Sequence, residues 1–592
     1  MAKAPRDTIF PAMNPDAEHG PDPWMDRFFD AFFQRRPVDA TFVGVRGHDH
    51  RMPDVSPDGV AAMVSEMRGL LGDAARGVGD GAGSVERRGG ADDPGAEAAA
   101  RLRRLDRRIA EGFLRIQLWE LESGFRLSNP SVHAGEAVFG LLSLLLPGSA
   151  PAEGRDEALA ARMHAVGAYL DDAVGHLEAA PTAWTERALR ECRGGLAFLQ
   201  EGLPCVDADL GEAPAAAIGA FERYRRFLED ELLRRPSERV ACGAEAFELH
   251  LREGHFFDRS AEEIAAYARE EIERTKAWLA EAAGDFDGAD PGEIVARLAD
   301  LHPGADRYLA RFEETWVAQK RLAEERDLVT WPDFPIRYVE RPLWSRAAAP
   351  DLYFLFYRSP AAFDRPAVHD YLVAPLPEDV PDAEMEAFLR ASNDSVIKLN
   401  HVVHHGGIGH HVQNWNAFRS PLRVGRVAAV DGAARIAMFC GGTMAEGWAC
   451  YATDLMAEAG GLTPLEVYAE HSGRVRMAAR AVVDVELHHG RMTLDDAARF
   501  YVETAGMSDA AARSEAVKNS MFPGAALMYL VGTDMIHELR ADLMNALGDR
   551  FTLRGFHDAF LSYGSIPVKL VADEMRLRAS LGLPLGAHDR VS

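Results

Sequence analysis

The chain is poor in cysteine and has no long apolar run. Its five cysteines, Cys192, Cys205, Cys242, Cys440 and Cys450, are odd in number and never spaced C-x-x-C. That pattern excludes a disulfide framework and a structural zinc ribbon, and it points to a reducing, cytoplasmic setting. No stretch reaches the roughly 18 consecutive apolar residues that a membrane span needs. The opening residues, Met-Ala-Lys-Ala-Pro-Arg-Asp-Thr-Ile-Phe, carry no apolar core of a signal peptide. Positive charge is also in deficit. Against 92 Asp and Glu stand 65 Lys and Arg, a net charge of -27 over 592 residues. Nucleic acid and anionic membrane both call for a basic face, so neither is expected as a partner. A small-molecule or peptide substrate is expected instead, and the oligomeric state is left open.

At 47% apolar and 27% charged, the composition is that of a globular protein. Helical signals dominate. Asp22-Pro23 reads as an N-cap and first-turn proline, followed by Trp24, Phe28 and Phe32 at four-residue spacing and ended by Pro37. Residues 72–100 lack aromatics and read as a mobile surface loop, and the helical period returns from Leu102 to Ile116. Residues 155–203 and 214–235 are helical in pattern, Ser260-x-x-Glu263 is a capping box, and Thr463, Thr493 and Ser508 read as further caps. Three short β-like runs, 328–331, 336–339 and 352–357, predict a small sheet, whose edge at 327–340 could take an extended substrate by strand addition. The fold expected is mostly α, a large helical fold with a central cleft and one small β-sheet. A helical lobe (1–325) would continue into a second lobe (326–592) that holds the sheet and the C-terminal helices, the two forming one cleft-containing unit.

Residues 400–415 read Asn-His-Val-Val-His-His-Gly-Gly-Ile-Gly-His-His-Val-Gln-Asn-Trp, with five histidines between His401 and His411. Imidazole is the commonest protein metal ligand. On a regular helix the six-residue step from His404 to His410 leaves the side chains about 120° apart, and His411 sits about 10 Å along the axis. Gly406, Gly407 and Gly409 permit a two-residue bulge that would bring His404 and His410 together. His401 and His405, at i, i+4, are the competing pair. Glu446 is the candidate third ligand, although Thr443-x-x-Glu446 also reads as a capping box.

His404 to Gln413 resembles the H-E-x-x-P-G-H-H-x-Q motif of the bacterial family catalogued as domain of unknown function 885, which is grouped with the zincin metallopeptidases and resembles the carboxypeptidase Taq type. Glu446-Gly-Trp-Ala-Cys-Tyr451 is similar to its E-G-W-A-x-Y. Further matches follow in order: Pro37 to Gly44 near the start, Arg480 to Asp484 with His488, Pro523 to Gly532, and Phe556-His557-Asp558 with Gly564 and Pro567. The resemblance implies a helical, cleft-containing fold with one divalent metal. Zinc is the first choice, with iron or manganese as alternatives. His404, His410 (with His411 as second choice) and Glu446 would be its ligands. Tyr529 and His557 would donate to a developing oxyanion, and His411, His488 and Arg540 would contact substrate.

The sequence departs from the motif where the base should be. The family's glutamate is His405 here, its proline is Ile408, and a later glycine is Glu486. Losing a general base costs about 10²–10⁴-fold, so His405 or Glu486 would have to act as base. The expected function is a metal-dependent hydrolase of a peptide or other amide bond. The alternatives are a lyase or iron-dependent oxidative enzyme acting on a small metabolite on the same scaffold, and an inactive metal-binding pseudoenzyme.

Overall fold

In the computed structural model, residues 22–77, 94–146, 153–352, 361–363, 366–428 and 441–587 are described. The first helix among the described residues, α1 (Pro23–Arg35), starts as its sequence predicts. The Asp22 carboxylate accepts from the backbone N–H groups of Trp24 and Met25 at 3.1 and 3.2 Å. The indole of Trp24 donates to Leu70 O, and the aromatic stripe of α1 is buried. The protein then builds α2 (Pro94–Glu122), α3 (Pro130–Ser143), α4 (Arg155–Val174), α5 (Thr182–Ala197), α6 (Ala213–Asp230), α7 (Ala261–Ala282) and α8 (Tyr308–Glu325). After a small sheet come α9 (His410–Ala417), α10 (Gly442–Glu458), α11 (Pro464–His488), α12 (Asp509–Met521), α13 (Met528–Leu547) and α14 (Leu553–Leu561). With 70% of the structure helical, the fold is the large, mostly α class expected.

Several boundaries differ from the periodicity. Residues 72–75 complete a helix and 94–100 begin α2; residues 78–93 lie outside the described residues. The segment 155–203 is broken after Val174, because Pro181 restarts the helix as α5. The capping boxes at Ser260, Thr463 and Thr493 form, and Ser508 caps α12. The sheet has two parallel strands, β1 (Ile336–Glu340) and β2 (His369–Val373), with Ile336 opposite His369 and Glu340 opposite Val373. β1 coincides with the second β-like run. The first run, 328–331, is drawn to α14 instead: Thr330 donates its N–H and its hydroxyl to Asp558 at 2.8 and 2.5 Å. Beyond Leu352 the third run lies outside the described residues.

The largest apolar cluster draws on both sides of residue 325, joining Phe28, Phe113 and Phe221 to Trp448, Tyr563 and Met575. A second cluster packs α7 against α11, with Ile264, Ala268 and Ile272 meeting Ala478, Val482 and Val485. Polar ties cross the same divide. The buried carboxylate of Asp106 on α2 accepts from the N–H groups of Arg423 and Val424 at 2.8 and 3.0 Å. Replacing it by alanine strands two buried donors at roughly 1–3 kcal/mol each. Asp106→Ala should therefore lower unfolding free energy in urea by about 2–6 kcal/mol, with the denaturant slope unchanged. A loss below about 1 kcal/mol would show the tie to be dispensable.

Candidate metal centre

The histidine segment is built around an interrupted helix. Residues Ile397–Gly406 form a π-helical stretch, and α9 begins at His410. Between them the N–H of Gly409 donates to Val403 O at 2.9 Å. That bond spans six residues where an α-helix spans four, so two residues are looped out between the flanking turns. Glycine is required at the exit: a Cβ on Gly409 would collide with the carbonyl oxygen of His404. The carbonyls exposed by the break are satisfied by two indoles. Trp448 Nε1 on α10 donates to Ile408 O at 2.9 Å and Gly409 O at 3.2 Å, and Trp316 Nε1 on α8 donates to Gly406 O at 2.9 Å. Buried backbone groups demand such partners, and the two tryptophans thereby hold the bulge in place.

The bulge brings His404, His405 and His410 together. Their ligand atoms lie within 4.8 Å of one another, and the His404 and His410 ring centres are 4.9 Å apart. Glu446 completes the group from α10, its Oε2 being 3.3 Å from His404 Nε2 and 3.8 Å from His410 Nε2. Helix α10 begins at Gly442 without a capping side group, and the Thr443 hydroxyl accepts from Val568 N–H instead. The capping-box reading of Glu446 is thereby corrected. His405 Nδ1 lies 2.6 Å from Asn400 O. A carbonyl can only accept, so Nδ1 carries the proton and Nε2 keeps its lone pair, the orientation that outer partners impose on metal-binding imidazoles. Burial, with His404 and His410 adding, holds His405 well below the usual histidine range. Burial acts to raise the Glu446 carboxyl, but the hydrogen bond from His404 and the charges of His410, His404 and Lys518 outweigh it and hold the group at about 2. Imidazole and carboxylate donors at about 2.1 Å from a tetrahedral ion are roughly 3.4 Å apart. The separations at Glu446 fit that set.

The other candidate residues lie elsewhere. His411 is fully buried, stacked on Phe334 with Nε2 2.8 Å from Phe334 O. It faces the segment before β1, whereas His410 stands with His404 and His405. His401 Nδ1 meets the Tyr371 hydroxyl at 2.6 Å, so the i, i+4 pair with His405 does not form a site. His488 is fully buried between Asn519 O at 3.0 Å and Cys242 N at 3.3 Å. Glu486 is clasped by Arg269 and Arg491. His557 has both ring nitrogens engaged in the core: Nδ1 with Leu328 O at 2.5 Å and Nε2 with the Tyr451 hydroxyl at 2.8 Å. Arg540 donates to that hydroxyl and to Glu458. His411 and His488, expected to contact substrate, and His557, expected to donate to an oxyanion, are each buried and bonded to backbone. Tyr529 is half-buried, with the Arg480 guanidinium 4.6 Å from its ring centre. Composition and spacing did not reveal Trp316 and Trp448 as supports of the bulge. Trp448, two residues after Glu446, was the available signal.

Residues 37–575 match the family described as bacterial protein of unknown function (DUF885), and the chain belongs to that family. No curated protein matches it. Among solved structures, a "putative lipoprotein of unknown function" from Shewanella oneidensis is similar, with a TM-score of 0.70 and 19% identity over 93% of this chain and 99% of that one. A "putative lipoprotein" from Colwellia psychrerythraea is also similar, with a TM-score of 0.65 and 17% identity over 94% and 99%. These likenesses show the fold. Among the described residues no helix is long and apolar enough to cross a membrane.

Gly409→Ala should open the bulge and separate His404 from His410, read as loss of their coupled shifts in histidine NMR with little change in helix content; unchanged spectra would refute the role of the glycine. Burial also pushes His133, His255 and His557 to about 4 from 6.5. The unfolded state then binds more protons than the folded one between these values, so the stability these groups contribute is present above pH 6.5 and is lost as pH falls through about 4. Urea midpoints should fall steadily across that window, and a flat profile would contradict it.

Proposed function

We propose that the protein is a divalent-metal-dependent hydrolase of a peptide or other amide bond, with zinc as its metal and His404, His410 and Glu446 as ligands. The observation that carries this reading is the convergence of the two Nε2 atoms on one Glu446 oxygen, at 3.3 and 3.8 Å. When bound, the metal supplies Lewis-acid activation of water and of the scissile carbonyl. The protein's own part is positional. The indoles of Trp316 and Trp448 keep the ligand-bearing turns at fixed separation. His405 presents Nε2 beside the ligands, and there it accepts the proton of the water that attacks the amide carbon, in place of the glutamate of the family motif. The Tyr529 hydroxyl is assigned as donor to the oxyanion; such donors are worth about 2.7–4 kcal/mol when aimed at developing charge.

One observation favours a second reading. His405 lies inside the same 4.8 Å group as the ligands, and Glu486 is held by two arginines. With His405 as a fourth donor the set suits iron or manganese, and the protein would be a non-hydrolytic metalloenzyme, a lyase or an oxidative enzyme. The metal retained on purification separates the two. The compartment belongs to the same proposal. Cys192, Cys205, Cys242 and Cys450 are unpaired by disulfides, as in the cytoplasm, whereas the two solved relatives carry the word lipoprotein in their descriptions; cell fractionation decides.

His404→Ala and Glu446→Gln should each weaken zinc binding at least about 10²-fold in competition with a chromogenic chelator, with far-UV circular dichroism unchanged. Full affinity in either variant would overturn the ligand assignment. His405→Glu should raise hydrolysis of a fluorogenic peptide library by about 10²-fold or more. No gain on any peptide would count against an altered base on a hydrolase scaffold.

A further inference from the structure

The turn between α14 and the last helix among the described residues, α15 (Val568–Ser580), touches both helices that carry metal ligands. It runs from Ser562 to Pro567 and is buried throughout. Gly564 holds a left-handed backbone, φ +71°, and a Cβ there would stand 2.7 Å from Gly425 O. The Ser565 N–H donates to that same carbonyl at 2.8 Å. On one side the Ser565 hydroxyl accepts from Gln413 Nε2 at 2.5 Å, and Gln413 lies on α9 three residues after His410. On the other side the Val568 N–H donates to the Thr443 hydroxyl at 3.2 Å, and Thr443 lies on α10 three residues before Glu446. The Ser565 carbonyl packs on the start of α10, where a Cβ on Gly441 would stand 2.6 Å from its oxygen.

Gln413 does more than join α9 to this turn. It is 1% exposed, too deep to be served by solvent. Its amide nitrogen is spent on Ser565. Its Oε1 is buried and takes no hydrogen bond from backbone, and the donor it faces is the His410 ring. Side chains three apart on a helix are neighbours, and a buried oxygen left unpaired costs roughly 1–3 kcal/mol. His410 turns Nε2 towards Glu446, at 3.8 Å, so Nδ1 is the ring nitrogen left for Gln413. Burial lowers His410 to about 4, and Gln413 acts against it as an acceptor of a ring proton does. An amide oxygen can only accept, so a proton on Nδ1 leaves the Nε2 lone pair for a metal. At His405 the carbonyl of Asn400 imposes the same tautomer.

We infer that Gln413 is a positioning residue: its Oε1 accepts from His410 Nδ1–H, while its amide nitrogen is anchored on Ser565. The turn 562–567 thereby sets the direction of one ligand and, through Thr443, the seat of the helix that carries another. This role rests on the assignment of His410 and Glu446 as metal ligands. Outer partners of this kind orient the imidazole and sharpen its basicity, and they act without touching the metal. Ser565 lies 152 residues from Gln413 in the chain, so the ring direction at His410 is fixed by packing from the C-terminal end and not by its own helix.

Nitrogen NMR of metal-free protein labelled in histidine tests the orientation directly, with the His410 signals identified by their loss in His410→Asn. Wild type should carry its proton on Nδ1, and Gln413→Leu, which removes the acceptor, should move it to Nε2. Zinc affinity, measured against a chromogenic chelator, should fall about ten- to a hundredfold in Gln413→Leu. Gln413→Glu keeps an acceptor in the same place and should keep the wild-type tautomer and affinity. Ser565→Ala, which leaves Gln413 unanchored, should lose about two- to tenfold. A merely structural glutamine would instead give equal losses in the Leu and Glu variants and an unmoved tautomer. A wild-type proton on Nε2, full zinc affinity in Gln413→Leu or in Ser565→Ala, or a Glu variant as weak as the Leu variant would overturn the inference. Should Gln413→Leu not fold, the wild-type tautomer and the Ser565→Ala affinity decide. If His404→Ala also keeps its zinc, the ligand assignment falls; if it loses zinc while Gln413→Leu does not, only the positioning role falls.

Discussion

The site depends on two looped-out residues in a buried helix. Without them His404 and His410 would point in directions about 120° apart. With them, both Nε2 atoms face one carboxylate oxygen. A break of this kind leaves carbonyl groups with no helical donor, and a buried unpaired carbonyl costs as much as a lost hydrogen bond. The indoles of Trp316 and Trp448 supply the missing donors from two different helices. The bulge is therefore a tertiary feature. It persists because α8 and α10 pack on both sides of it, and α10 also delivers Glu446.

The same pattern recurs around the site. Asp484 on α11 accepts from the N–H groups of Gly524, Ala526 and Leu527 and so shapes the turn that launches α13 and Tyr529. Arg540, Tyr451, His557 and Leu328 O form a hydrogen-bonded series that ties α13, α10 and α14 to the segment leading into the sheet. His488 and His557, which look catalytic by type, are bonded to backbone carbonyls in the core, while His404, His405, His410 and Glu446 gather at the bulge.

Much of the architecture was legible from residues. Caps such as Asp22, Ser260 and Thr463 act locally, within one helical turn, and their pattern predicted the helix starts. The bulge was legible in outline because three glycines and a six-residue histidine step admit few alternatives. The long-range partners were not legible. Nothing near Thr330 announces that Asp558 will hold it off the sheet, and β2 is found only by its pairing with β1. His557 and His488 resembled functional residues because a motif records that a residue is used and not whether it serves chemistry or packing.

The central claim is that the bulge creates a metal centre, and anomalous diffraction tests it most directly. Crystals of the protein loaded with one equivalent of zinc, measured on both sides of the zinc edge, should show one strong peak between His404 Nε2, His410 Nε2 and the Glu446 carboxylate. A peak held by other residues, or none there in protein that retains its zinc, would contradict the account.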